Sequence, residues 1–173
     1  MLITIPERGL VLLMGAAGSG KSTFARKHFA GTEIVSSDAL RAVVSDDEGD
    51  QSASGDAFHL LRLITAKRLR RGRLTVIDAT NVQSGSRKGL LGLAAQYSAP
   101  VTGIVFNLPA AVCLARNQSR PNRLVSAEVI EKQVADLRDS FPGLEGEGFR
   151  CLYVLDNTQD MESAQVLREP RNK

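Results

Sequence analysis

Gly15, Gly20, Lys21 and Ser22 stand in the spacing G-x-x-x-x-G-K-[ST] within "GAAGSGKST", directly after the apolar run "GLVLLM" and ahead of "FARKHF". Glycines let a backbone curl so that successive N–H groups face inward as an anion nest, and a helix starting there adds the positive end of its dipole. Such a nest suits phosphates. Together with Ala17, Gly18, Ser19 and Thr23, it would cradle the phosphate chain of a nucleotide. Lys21 would reach the outer phosphates as a point charge, and the Ser22 hydroxyl would meet Mg2+ directly. The cofactors expected are therefore ATP, or another nucleoside triphosphate, and Mg2+. The competing reading is a glycine-rich turn with a solvated lysine.

Three more clusters could complete a phosphoryl transfer. "SSDALR" sets Asp38 and Arg41 three residues apart, on one face if a helix starts there. A carboxylate beside the γ-phosphate can accept the proton of an attacking hydroxyl, and a guanidinium can hold an anionic acceptor by a bidentate contact. Alternatively Asp38 only caps a helix and Arg41 lies on the surface. "VIDATN" ends an apolar run with Asp78, Thr80 and Asn81. An acid at such a strand end suits a water-mediated contact to Mg2+, a contact Asp38 could share, while Thr80 and Asn81 are acceptor-side candidates. Asp78 could equally be a turn acid. "RNQSRPNR" carries Arg116, Arg120 and Arg123. A lid bearing such guanidinium groups would stabilise charge on the transferring group and exclude water, with Arg116 the first candidate and Arg120 a second; a basic cluster can also be a solvated face.

These residues need elements to hold them. Short apolar runs at 9–14, 32–37, 74–79, 101–108 and 150–155 read as strands, the continuous ones buried on both faces as in a parallel sheet. Helical patterns fall between them, at 22–28, 39–44, 55–71, 84–97, 110–118 and 126–141, the last with Ser126 as a cap. That alternation predicts a three-layer α/β fold, mostly parallel, with ligands beyond the carboxyl ends of the strands, and the glycine-lysine loop and arginine cluster make it one of the P-loop NTPase kind with an arginine-bearing lid. Each cluster above starts at such an end. The tail "REPRNK" reads as a domain edge or linker.

Composition sets bounds. With 173 residues, 43% of them hydrophobic, the chain suits one globular domain over 1–173. Lys and Arg exceed Asp and Glu by only 22 to 19, which permits an anionic partner without demanding one. Cys113 and Cys151 lie in no metal or redox spacing, and no apolar run approaches a membrane span, so no membrane partner and a cytoplasmic location are expected. The acidic run "SDDEGDQ" at 45–51 would repel phosphate near a cleft and reads as a solvated loop capping the helix at 55–71. His28 and His59 are isolated and receive no role.

Taken in order, "GAAGSGKSTFARKHF", "SSDALRAVVSDDEGDQ", "TVIDATNV" and "VFNLPAAVCLARN" resemble the polynucleotide 5′-kinase domain of the bacterial polynucleotide kinase-phosphatase-ligase, an RNA end-healing and sealing enzyme, over residues 1–156. The resemblance implies transfer of the ATP γ-phosphate to the 5′-OH end of an RNA or DNA strand. It also implies roles by position: Lys21 and Ser22 on phosphates and Mg2+, Asp38 as general base, Arg41 on an acceptor phosphate, Arg116 as a lid arginine, and Gln51 on the acceptor side. Phosphatase and ligase domains are the partners it implies for a kinase module of this kind. The alternatives are a small-metabolite or nucleoside kinase of the same class, and a nucleotide-binding module without catalysis.

Overall fold

The computed structural model describes residues 1–119 and 125–169. Five strands form one parallel sheet in the order β3–β4–β2–β5–β6: β2 (Leu10–Met14) is central, β4 (Thr75–Asp78) and β3 (Ile34–Ser36) lie to one side, and β5 (Val101–Phe106) and β6 (Cys151–Leu155) to the other. Leu10 pairs with both Thr75 and Val101, so β2 is hydrogen-bonded on both edges. The chain leaves β2 for β3 at one edge, returns beside β2 as β4, and then crosses to β5. Beyond the carboxyl end of β2 the crossovers diverge, and that divergence opens a crevice.

Alternation along β2 separates the layers. Val11 and Leu13 face α1 (Lys21–His28) through Phe24 and Ala25, whereas Leu10 and Leu12 face α3 (Ser54–Arg70) and α4 (Ser84–Gln96) through Leu61, Leu69, Leu90 and Ala94. A strand buried on both faces carries no polar alternation, which is why "GLVLLM" is apolar throughout. The three-layer α/β expectation thus holds, with element ends within two or three residues of those read from the sequence. Helix α2 spans Ser37–Ser45 and α5 spans Ala110–Gln118. Helix α6 spans Ala127–Ser140, with the Ser126 hydroxyl accepting from the Val129 N–H at 3.4 Å as the expected cap.

Two strands and one α-helix are additions to the sequence reading. Strand β1 (Leu2–Pro6) pairs in parallel with β7 (Gln165–Glu169) as a separate two-stranded sheet, and α7 (Thr158–Ser163) precedes β7. Ile3 and Ile5 are fully buried with Phe24 and Ala25, so this small sheet covers the α1 face. The Tyr153 hydroxyl receives the Thr4 N–H at 3.1 Å and pins β1 beside the main sheet. The "REPRNK" tail is corrected in part: Arg168 and Glu169 belong to β7, and both Arg168 Nη atoms donate to the Glu33 carboxylate, at 2.9 and 2.7 Å. Among the described residues no helix is long and apolar enough to cross a membrane.

Candidate active site

The loop between β2 and α1 is locked from several sides. Gly15 N–H donates to the Thr80 carbonyl at 2.9 Å, and Ser19 N–H to that of Ala16 at 3.1 Å. Gly18 and Gly20 take φ of 81° and 97°, a region that favours glycine. A β-carbon on Gly18 would strike the Cys113 carbonyl oxygen, and one on Gly20 the Met161 methyl, so α5 and α7 pack directly on the loop. The Lys21 ammonium donates to the carbonyls of Gly15 and Ala16, both at 2.8 Å, and is only 7% exposed. The Ser19 side chain is fully buried inside the turn.

On one side the loop borders a cleft of about 160 Å³. Its lining includes Ala17, Lys21 and Ser22 of the loop and α1, Asp38 and Arg41 from α2, Gln51 and Phe58 ahead of and within α3, and Asp78 and Thr80 at the end of β4. Local geometry explains the placement of Asp38. Ser36 caps α2, its hydroxyl accepting from the Ala39 N–H at 3.4 Å, so the Asp38 carboxylate is turned to the cleft, where it accepts from Arg41 Nη2 and, at 3.5 Å, from the Ser37 hydroxyl. Arg41 is 4% exposed, and its Nε donates to the Glu48 carbonyl at 2.8 Å. Burial pulls the Arg41 pKa below its ordinary value, and the Glu48 and Asp50 carboxylates act in the opposite direction.

The acidic run therefore has a structural use. It folds on itself, Asp47 accepting from the Gly49 N–H at 2.8 Å, and it presents the Glu48 carbonyl to Arg41. Its helix-capping role falls on the 3-10 turn Gln51–Ala53, where Asp50 accepts from the Ser52 N–H at 2.9 Å, one turn ahead of α3. Asn81, an acceptor-side candidate, is not among the residues lining the cleft: it is 3% exposed and its amide donates to the Leu13 carbonyl at 2.9 Å. With φ of 49° it turns the chain behind Thr80, and its side chain satisfies the strand end instead of facing an acceptor.

On the other side of Gly18 and Gly20 lies a hollow of about 370 Å³, lined by Thr23, Phe24 and Lys27 of α1, Arg116 and Ser119 after β5, and Thr158, Met161 and Glu162 of α7. Arg116 Nη2 donates to the Thr158 hydroxyl at 3.0 Å and Nη1 to the Ser19 carbonyl at 3.4 Å, which sets the guanidinium against the phosphate-binding loop. Arg120 and Arg123 lie outside the described residues. Burial pushes the Cys113 thiol pKa up, in keeping with a packed residue.

Sequence reasoning missed Gln133, Phe58 and the whole of α7. Gln133 Oε1 accepts from the Ala17 N–H at 2.8 Å, bringing α6 onto the loop, and nothing in its sequence neighbourhood announces that contact. Helix α7 did leave a signal: "NTQD" is a cap sequence, and Asn157 Oδ1 accepts from the Asp160 N–H at 2.8 Å. Among the described residues no three His, Cys, Asp or Glu side chains cluster for a metal. The Ser22 hydroxyl with Asp38 and Asp78 is a sparse, hard-oxygen set in one cleft, and it fits a Mg2+ that keeps water and phosphate ligands.

The fold is shared with proteins of known structure. The chain in the Pnkp1/Rnl/Hen1 RNA repair complex is similar at 25% identity and a TM-score of 0.69 over 80% of this chain, which spans 46% of that one. Chaetomium thermophilum Kti12 with ADP-AlF3 is 18% identical at a TM-score of 0.61, over 88% of this chain and 93% of its own. A gluconokinase from Sinorhizobium meliloti is 18% identical at 0.56, over 91% and 87%. No curated protein matches. The sequence profile of the AAA domain family matches residues 10–144. A phosphate-binding loop at the switch point of a parallel sheet, within that matched span, means that the chain belongs to the AAA domain family and has a P-loop kinase-like fold.

Proposed function

We propose that the chain transfers the γ-phosphate of ATP, or of another nucleoside triphosphate, to the 5′-OH end of an RNA or DNA strand. The observation that carries this reading is the two-sided loop. Asp38 and Arg41 line the cleft on one side with Lys21 and Ser22, and a separate hollow opens on the other. A donor nucleoside in the hollow would send its phosphates across the loop toward Asp38. The likeness to the RNA repair complex chain supports a polynucleotide acceptor.

Asp38 aligns the 5′-hydroxyl and takes its proton, Lys21 and the loop amides hold the phosphates, and Arg116 neutralises charge from the loop side. Mg2+ held at Ser22, with Asp38 and Asp78 reaching it through water, would supply charge neutralisation on the phosphates. Arg41, with Gln51 and Thr80 beside it, holds the acceptor, Arg41 by its next phosphate. Phosphorus passes in line from ADP to the hydroxyl without a phospho-enzyme. The chain acts as one kinase domain, in the cytoplasm, beside phosphatase and ligase activities that complete end repair.

The test is end-labelling. Purified protein with labelled ATP, Mg2+, matched 5′-OH RNA and DNA strands and a panel of hydroxylated metabolites is expected to label the strands preferentially. Labelling of a metabolite alone would mark a small-molecule kinase, and tight ATP binding with no labelled product a non-catalytic module.

A further inference from the structure

Arg87 is fully buried in α4 and belongs to none of the motifs that carry the proposed chemistry. Its guanidinium divides its donors between two tasks. Nε and Nη2 grip the Glu147 carboxylate at 2.7 and 2.5 Å, and Nη1 donates to two consecutive backbone carbonyls, Asn81 at 2.8 Å and Val82 at 2.9 Å. Those carbonyls sit on the back of the turn whose front residues, Asp78 and Thr80, line the cleft. The turn needs such a hold, because Asn81 takes a φ of 49° and its main chain leaves the sheet there. Further restraints come from Gly15 N–H on the Thr80 carbonyl, Asn81 Nδ2 on the Leu13 and Ala79 carbonyls, and the Ser140 hydroxyl on the Val82 carbonyl.

We infer that Arg87 is a positioning residue for the acceptor side, its planar fork tying the Asp78–Val82 turn to Glu147 and so fixing where Thr80 and Asp78 meet the acceptor. This rests on the acceptor assignment proposed above. The guanidinium suits the task because it is planar and always charged, with enough N–H groups to serve one carboxylate and two carbonyls at once; a lysine ammonium is a single point. Glu147 supplies the countercharge that makes a buried guanidinium tolerable.

Arg87→Ala strands the Glu147 carboxylate and is expected to unfold, so the informative variant is the double change Arg87→Met with Glu147→Leu, which removes both charges and fills the space. It is expected to melt near the wild type. It should nevertheless raise the KM for a 5′-OH oligonucleotide by about tenfold, leaving the KM for ATP within about twofold. A merely structural role predicts that activity returns with stability, so a wild-type acceptor KM in the folded double variant overturns the inference. A second readout needs no acceptor: amide hydrogen exchange across residues 79–83 is expected to quicken in the double variant, with residues 24–28 of α1 unchanged. Unchanged exchange at 79–83 overturns the inference whatever substrate the wild type proves to use. Absence of oligonucleotide labelling by wild type, with quickened exchange, overturns the acceptor assignment and leaves the role of Arg87 in the turn standing.

Discussion

The cleft and the hollow on either side of Gly18 and Gly20 are built of different materials. The cleft is polar and tightly bonded: Asp38 to Arg41, Arg41 to the Glu48 carbonyl, Gln133 to the Ala17 N–H, and the turn after β4 to the strand ends beside it. The hollow is walled mainly by Phe24, Met161 and the flank of α7, with Arg116 at its loop end. In the proposed transfer, directional bonds suit the side where a hydroxyl would be aligned, since small misplacements cost rate, and apolar contact suits the side that would only hold a flat group.

Asp38→Ala gives the sharpest separation of the two sides. It is expected to lower phosphorylation of a 5′-OH oligonucleotide by about 10²–10⁴-fold, with Mg·ATP affinity by calorimetry near wild type. Near-normal turnover would remove Asp38 from the chemistry. Gly18→Ala should erase the distinction, because the added methyl meets the Cys113 carbonyl in a backbone conformation reserved for glycine. Its Kd for ATP is expected to rise by about a hundredfold and transfer to fall with it, measured by the same calorimetry. An unchanged Kd would mean that α5 can yield.

Arg41→Ala should weaken the acceptor side alone, by about tenfold to a hundredfold in kcat/KM on an oligonucleotide and less on a single nucleoside lacking the next phosphate. Equal losses on both substrates would make Arg41 a structural partner of Asp38. Met161→Ala is the mirror case, expected to raise the KM for ATP about threefold and leave the acceptor KM unchanged in steady-state assays.

The smallest effect is on pH. His28 packs tilted against Phe24 at 4.4 Å between ring centroids, and burial, then Lys27, holds its pKa below the ordinary 6.5. A depressed folded pKa favours neutral imidazole, so the stabilising contribution is present above about 6.5 and is lost as pH falls through the folded value. Melting curves from pH 7.5 to 5.5 should show wild type losing more stability than His28→Gln. Parallel losses would deny the link between His28 and the Phe24 wall.

Much of the cleft was legible because phosphate chemistry constrains neighbours in sequence: Lys21 and Ser22 must follow the glycines, and Asp38 with Arg41 must share a helix face. The placement of Asn81 was not legible on the same logic, since its type suggested a cleft contact whereas its amide donates to the end of β2. The hollow was hardly legible at all. Its α7 wall carries a cap signal but too short an apolar pattern to read as a helix, and β1 and β7 pair across almost the whole chain, with Leu2 opposite Gln165.

By itself the sequence determined the alternation of buried strands and helices, and the loop that cradles phosphate, because local spacing alone sets which groups a turn or a helix face presents. Only the tertiary structure decided which distant pieces close on that loop. Cys113, Gln133 and Met161 reach it, and Glu147 reaches Arg87 behind the turn beside it, through contacts whose partners lie far apart along the chain. Such contacts are chosen by packing and by the need to satisfy every buried donor and acceptor, and no local pattern records that choice.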